Sequence, residues 1–128
     1  MKIIRIMLAD DHAVLRAGLR LLIDSQSDMN CVGEAGDGVT TVQQAERLRP
    51  DVLLLDISMP RQTGLNVLSD IHLRSPATRI VILTMHADDA YLQQALDSGA
   101  VGYVLKQAAD QELLNAIRAV MRNEVYIH

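Results

Sequence analysis

Five polar side chains stand at the ends of apolar runs in this sequence, and together they could carry out chemistry. Carboxylates follow the first and third runs, at Asp10, Asp11 and Asp56, and later runs close on a hydroxyl at Thr84 and an ammonium at Lys106. Two carboxylates ~4 Å apart at a surface-like dielectric repel each other by about 4 kcal/mol, so three together favour a bound cation. An all-oxygen set of ligands favours Mg²⁺ over Zn²⁺.

A hard cation beside a lysine and a hydroxyl makes a binding site for a phosphoryl group, because the equatorial oxygens of the phosphoryl group need neutralising partners. A carboxylate in such a site can itself attack phosphorus and form an aspartyl phosphate. Asp56 is the candidate, since it ends the run VLLLD, which is typical of a strand buried on both faces.

The elements that must bring these residues together alternate along the chain. Strand-like apolar runs occupy residues 3–8, 31–35, 52–55, 79–84 and 102–106. Helical spacing follows each run, with stops at Pro50, Pro76 and Gly99. Five strands alternating with five helices predict an α/β fold with a doubly wound parallel sheet. In such folds ligands bind outside the carboxyl ends of the strands, where the polar residues stand.

Two of the predicted helices carry apolar faces that bear on both packing and association. The first face consists of Val14, Leu15, Gly18, Leu19 and Leu22, and the last consists of Leu113, Leu114, Ile117, Val120 and Met121. We expect both faces to be mostly core, and some of their residues could also serve a dimer interface.

Each site residue also has an ordinary structural explanation. Asp11 could cap the first helix through its side-chain oxygen. Asp56 could be a turn residue, and Thr84 is a β-branched residue of the kind that strands favour. Lys106 is the hardest to explain in this way, because it precedes a helix whose N-terminal dipole repels cations.

Composition narrows the class of protein. The chain has 128 residues, a net charge of −4 and 2% aromatic residues, and its twelve Lys and Arg residues are scattered. These features predict one soluble domain with a weak capacity to grip nucleic acid by itself. Neither a membrane-spanning run nor a signal peptide is recognisable. Cys31 is the only cysteine, which fits a reducing cytoplasm.

Four segments together resemble the receiver domain of two-component response regulators. They are the Asp10-Asp11 pair, LLLDISMP around Asp56, LTMHAD around Thr84 and GYVLK around Lys106. The resemblance covers essentially the whole chain, residues 1–128, in order and spacing. Longer stretches such as LADDHAVLRAGL are similar to the subgroup whose receivers precede a LuxR/NarL-type helix-turn-helix domain. The resemblance implies a flavodoxin-like sheet with strand order 2-1-3-4-5.

The resemblance also implies a role for each site residue. Asp56 matches the phosphoacceptor, and Lys106 matches the lysine that contacts the phosphoryl oxygen. Asp11 matches the direct Mg²⁺ ligand, Asp10 matches the ligand that acts mainly through water, and the backbone carbonyl of Ser58 matches the third protein ligand.

Two further positions match the family's switch, and one departs from the subgroup's pattern. Thr84 matches the switch hydroxyl and Tyr103 the switch aromatic. Arg61 stands where this subgroup often has glycine. His12 is expected to be a first-turn helix residue rather than a metal ligand, and His86 is either a modulator of phosphate hydrolysis or a plain loop residue.

The implied function is that of a signalling switch rather than an enzyme. A sensor histidine kinase would supply the phosphoryl group, and the product would be the receiver's own modified state. We expect a longer protein with a DNA-binding helix-turn-helix domain beyond His128. Homodimers would form through helices one and five, which we favour, or through helix four, strand five and helix five.

Two other classes of function share parts of this pattern. A phosphatase of the haloacid-dehalogenase type needs Asp-x-Asp after the first strand, but the sequence there is Asp10-Asp11-His12. A nucleotide or flavin binder needs a glycine-rich loop after the first strand, and neither GxxxxGK[ST] nor GxGxxG occurs there.

Overall fold

A computed structural model describes residues 2–57, 59, 64–85 and 89–127. Its strands are β1 (Ile4–Ala9), β2 (Met29–Ala35), β3 (Val52–Asp56), β4 (Arg79–Thr84), β5 (Gly102–Leu105) and β6 (Tyr126–Ile127). Its helices are α1 (Ala13–Asp24), α2 (Gly38–Leu48), α3 (Gly64–Arg74), α4 (Asp89–Asp97) and α5 (Ala109–Met121). A 3-10 turn, Lys106–Ala108, joins β5 to α5.

The strands form one parallel sheet in the order β2-β1-β3-β4-β5-β6. The doubly wound α/β fold and the order 2-1-3-4-5 are therefore confirmed. The described residues add a sixth, two-residue strand that the sequence analysis missed. The first and third runs match β1 and β3 to within one residue, while the second strand begins two residues earlier than predicted, at Met29.

Burial of both sheet faces explains why the central strand is a continuous apolar run. Val52 and Leu54 of β3 point to the core beneath α1 and α5. Leu53 and Leu55 point to the core beneath α2, α3 and α4. Successive side chains of a strand alternate between faces, so a strand covered by helices on both sides must be apolar at every position.

The helix boundaries follow local chemistry. The Asp37 side chain accepts a hydrogen bond from the Thr40 backbone N–H at 2.8 Å and caps the start of α2. Arg49 then closes α2 in a left-handed conformation, with φ of 47°, immediately before Pro50. The stop predicted at Pro50 is thereby confirmed.

One prediction about packing was wrong. Val14 was assigned to the packed face of the first helix, but it is 88% exposed, and Gly18 is exposed as well. The buried residues of α1 are Leu19 and Ile23. The apolar spacing indicated the side of α1 that faces the core, but only part of that side is buried. In α5 the predicted face is largely confirmed, with Leu113, Ile117 and Val120 all buried.

β6 covers the edge of β5. Its Tyr126 and Ile127 lie opposite Gly102 and Tyr103, and the Tyr126 N–H donates to the Val101 carbonyl at 3.0 Å. The Tyr126 hydroxyl donates to the Glu112 carboxylate on α5. This bond, together with burial and the negative charge of Glu112, raises the pKa of Tyr126 to about 12. β6 is thus fixed both to the sheet and to α5.

Among the described residues, no helix is both long enough and apolar enough to cross a membrane.

The Tyr126–Glu112 bond predicts a stability difference that depends on pH. Tyr126→Phe should lower the free energy of unfolding by about 1 kcal/mol at neutral pH, because the hydrogen bond is lost. The folded-state pKa is raised from 10.0 to about 12, so the contribution is complete below pH 10 and fades as the pH rises towards 12. Denaturant unfolding of parent and variant at several pH values measures this difference.

Glu112→Gln is the matched control for this prediction. It should cost part of the same stability, and the double variant should cost less than the sum of the two single changes. Strict additivity, or a difference between parent and Tyr126→Phe that grows above pH 10, would contradict the assigned bond.

Candidate functional site

The candidate site lies at the carboxyl end of the sheet, where the chain leaves three of the strands. Asp10 directly follows β1, Asp56 is the last residue of β3, and Lys106 is the first residue after β5. Because β1 lies beside β3, and β4 lies between β3 and β5, parallel strands of similar register deliver all three side chains to one place.

A buried ion pair forms the centre of the site. Lys106 Nζ donates to Asp56 Oδ2 at 2.9 Å and lies 3.2 Å from Asp10 Oδ2. Asp56 is 0% exposed, Asp10 1% and Lys106 7%. Buried charges require such pairing because an isolated one would cost several kcal/mol. The structure therefore brings together the lysine and two of the carboxylates, as the sequence predicted.

Opposing effects act on the Lys106 ammonium. Burial lowers the pKa of Lys106, but the hydrogen bond to Asp56 and its negative charge, followed by the negative charge of Asp10, outweigh it, and the net direction is upward. Lys106 therefore keeps its positive charge at neutral pH.

The two oxygens of Asp10 have different surroundings. Oδ1 accepts a hydrogen bond from the His12 backbone N–H at 2.7 Å. Oδ2 is buried and, among the described residues, has no hydrogen-bond partner, although Lys106 Nζ forms an ion pair with it at 3.2 Å. Arg16 fixes the backbone at this point, donating to the Asp10 carbonyl. No pattern in the sequence indicated the Arg16 contact.

Asp11 and His12 stand at the open side of the site. The side chain of Asp11 is 37% exposed, and His12 Nδ1 lies 3.4 Å from its Oδ1. One potential ligand atom from each of Asp10, Asp11, His12 and Asp56 lies within 4.8 Å of all the others. This group could hold a metal ion. Its three carboxylates were predicted from the sequence, whereas His12 had been assigned to the helix start.

The two switch residues predicted from the resemblance are both buried on neighbouring strands. Thr84 ends β4 and Tyr103 lies in β5, with Ile82 opposite Tyr103 and Thr84 opposite Leu105. The Tyr103 side chain belongs to the core on the α2, α3 and α4 face. Ser58, Arg61 and His86 fall outside the described residues.

Comparison with known proteins identifies the family. The family profile described as "Response regulator receiver domain" matches residues 6–118. The chain belongs to this family. The oxygen regulatory protein NreC of Staphylococcus aureus is 47% identical over 124 residues, which are 96% of this chain and 57% of NreC. The receiver thus spans little more than half the length of these curated relatives.

Two solved structures extend the similarity to the LuxR/NarL subgroup. A LuxR-family two-component response regulator from Aurantimonas sp. SI85-9A1 superposes with a TM-score of 0.92 at 34% identity, covering 98% of this chain and 89% of that one. The signal receiver domain of the putative response regulator NarL from Mycobacterium tuberculosis gives 0.90 at 30% identity, covering 97% and 100%. The resemblance deduced from the sequence, including its LuxR/NarL type, is confirmed.

The ion pair predicts a large and specific loss of stability when its cation is removed. Lys106→Met removes the ammonium that neutralises the buried carboxylates of Asp10 and Asp56, so the free energy of unfolding should fall by roughly 3 kcal/mol. Urea unfolding of the two proteins without added metal measures this loss.

Lys2→Met provides the matched control. Lys2 is exposed and lies 3.7 Å from Asp51, so its removal should change stability by less than about 0.5 kcal/mol. If the two methionine variants had similar stabilities, the central importance of the buried pair would be refuted.

Proposed function

We propose that this receiver accepts a phosphoryl group on Asp56 from the phosphohistidine of a sensor histidine kinase, with Mg²⁺ bound at the adjacent aspartates. The observation that carries the proposal is the buried Asp56 carboxylate held 2.9 Å from the Lys106 ammonium and beside Asp10. Membership of the receiver family supports a kinase as the donor.

The transfer needs a nucleophile and a means of neutralising charge. One Asp56 oxygen attacks phosphorus, a P–O bond forms as the P–N bond breaks, and the donor's imidazole, already protonated on its other ring nitrogen, leaves as a neutral ring. Lys106 already faces Asp56 and can donate to a phosphoryl oxygen once that oxygen is present. The resulting aspartyl phosphate stays on the protein, so the domain acts as a switch and does not release a product as an enzyme would.

The acidic residues fit a hard cation. Asp10, Asp11, Asp56 and the Ser58 backbone carbonyl would hold Mg²⁺, which neutralises the phosphoryl oxygens when bound. The buried Asp10 Oδ2, which lacks a hydrogen-bond partner among the described residues, supports this assignment. Asp11 provides the exposed entry side of the site, because its side chain is 37% open to solvent.

Thr84 and Tyr103 would couple the phosphate to a surface of the domain. A phosphoryl group on Asp56 offers oxygens to the Thr84 hydroxyl at the end of the next strand, and Tyr103 packs on the strand beyond it. A bias of about 3 kcal/mol towards one arrangement shifts the populations by roughly a hundredfold. Both side chains are buried, so such a bias must repack the core beneath α4.

The output would be transcription regulation by a longer cytoplasmic protein with a helix-turn-helix domain. The LuxR/NarL-type relatives and the share of NreC that remains unmatched support this proposal. Dimerisation suits such an output, because two DNA-binding domains match two half-sites. The exposed Val14 and Leu21 on α1 favour the face of α1 and α5 over that of α4, β5 and α5.

Phosphorylation can be tested directly on this chain. A small-molecule phosphodonor with Mg²⁺ should add one phosphoryl group, seen by intact mass, because Asp56 is the carboxylate paired with Lys106. Asp56→Asn should abolish the addition, while Asp97→Asn, an exposed change on α4, should leave it intact. Labelling that persists in Asp56→Asn would disprove the assignment, and catalytic release of phosphate would favour a phosphatase.

The switch can be separated from the phosphorylation that drives it. Thr84→Ala should leave labelling of Asp56 within about threefold of the parent, since the hydroxyl supplies one of several oxygen partners. The variant should nevertheless lose the phosphodonor-induced shift towards dimer in sedimentation velocity. Thr84→Ser retains a hydroxyl and should keep most of the shift. An equal shift in Thr84→Ala and the parent would rule out this coupling.

A further inference from the structure

His12 starts α1, but its ring is not used there. Its backbone has extended dihedral angles at the N-terminal cap position, and its side chain makes no capping hydrogen bond. The ring instead faces the acidic site, with Nδ1 3.2 Å from Asp10 Oδ1 and 3.4 Å from Asp11 Oδ1. Its position at the N-cap of α1 therefore does not explain why the His12 ring points towards the acidic site.

His12 Nδ1 faces charges of both signs. Lys106 Nζ lies 3.2 Å from it, and Asp10 Oδ1 lies at the same distance. With the ring proton on Nε2, Nδ1 accepts from the ammonium; with the proton on Nδ1, it donates to the carboxylate. In the first of these forms Nδ1 presents a lone pair to the same space as the oxygens of Asp10 and Asp11. The same ammonium also contacts Asp56 and Asp10.

A second observation shows that this space suits a cation. Asp10 Oδ2, on a residue that is 1% exposed, has no hydrogen-bond partner within the described part of the chain, and the cation that faces it at 3.2 Å is the Lys106 ammonium. Nδ1 belongs to the same group of ligand atoms, all within 4.8 Å of one another, as the three aspartates. A metal ion at their centre would satisfy the buried oxygen and the imidazole lone pair together.

We propose that His12 is an additional protein ligand of the metal site and gives it a preference for transition-metal ions. This inference rests on the proposed phosphoryl-transfer function, which requires a cation at the three aspartates. Carboxylates and carbonyls suit Mg²⁺ and Mn²⁺, whereas an imidazole nitrogen raises affinity for Co²⁺, Ni²⁺ and Zn²⁺ far more than for Mg²⁺. The ion that supports phosphorylation is therefore set in part by a residue next to the acidic pair.

Binding of a metal to Nδ1 has a consequence for Lys106. The nitrogen has one lone pair, so it cannot accept from the ammonium and ligate a metal at once. Metal entry would release Lys106 from His12, and the freed N–H could turn to the phosphoryl group on Asp56. His12 would thus act on the lysine as well as on the choice of ion.

The test compares Mg²⁺, Co²⁺ and Ni²⁺ binding by calorimetry in the tag-free chain and three variants. His12→Gln should lower the affinity for Co²⁺ and Ni²⁺ by about tenfold or more, and that for Mg²⁺ by less than about threefold. His72→Gln changes an exposed histidine on α3 and controls for surface histidines, so it should leave the affinities for all three ions unchanged. Asp11→Asn should weaken all three ions.

A spectroscopic measurement tests directly whether a His12 nitrogen binds the metal, independently of affinity. Pulsed electron paramagnetic resonance of bound Mn²⁺ should show coupling to a ¹⁴N nucleus in the parent and in His72→Gln, and the coupling should vanish in His12→Gln. Absence of that coupling in the parent, or equal losses of Mg²⁺ and Ni²⁺ affinity in His12→Gln, would overturn the role of His12. If Asp11→Asn also left every affinity unchanged, the proposed metal site itself would fail.

Discussion

Lys106 and Asp56 form an ion pair inside the protein, at the ends of β5 and β3. Neither charge could be held inside the protein alone, because burying an unpaired ion costs several kcal/mol. Pairing them at 2.9 Å requires that β3 and β5 end at the same level, although β4 lies between them. The parallel sheet meets this requirement, and the apolar strands make it rigid enough to hold two charges in place. The fold thus holds a small polar site together in a place where water cannot hydrate the two ions separately.

The same pairing leaves the site unbalanced in charge. One ammonium faces the buried carboxylates of Asp56 and Asp10, with Asp11 nearby at the surface. A site with excess negative charge favours a cation, and only then tolerates a phosphoryl group that brings more negative charge. Thr84 and Tyr103 lie in the close-packed core beside this site. Packed cores shift between discrete arrangements rather than deforming smoothly, so a charge added at Asp56 is suited to a two-state response.

Sequence reasoning succeeded where one strong physical signal determined the outcome. Continuous apolar runs located the buried strands, and strand ends located Asp10, Asp56 and Lys106, because ligands of such sheets bind beyond the carboxyl ends. It failed where the signal was short or depended on tertiary contacts. β6 has only two residues, and it forms because the β5 edge and Glu112 are there to receive it. The ring of His12 is turned by contacts to residues up to 94 positions away, which no local pattern encodes.

The edge of the sheet links the switch to the end of the described chain. Tyr103 of β5 lies opposite Ile127 of β6, and Tyr126 is bonded to Glu112 of α5. A movement of β5 must therefore either carry β6 with it or break their pairing, and a movement of β6 must pull on α5. An isolated two-residue strand could not hold its place, since its stability comes from these neighbours. The position of β6 therefore depends on both the switch strand and α5.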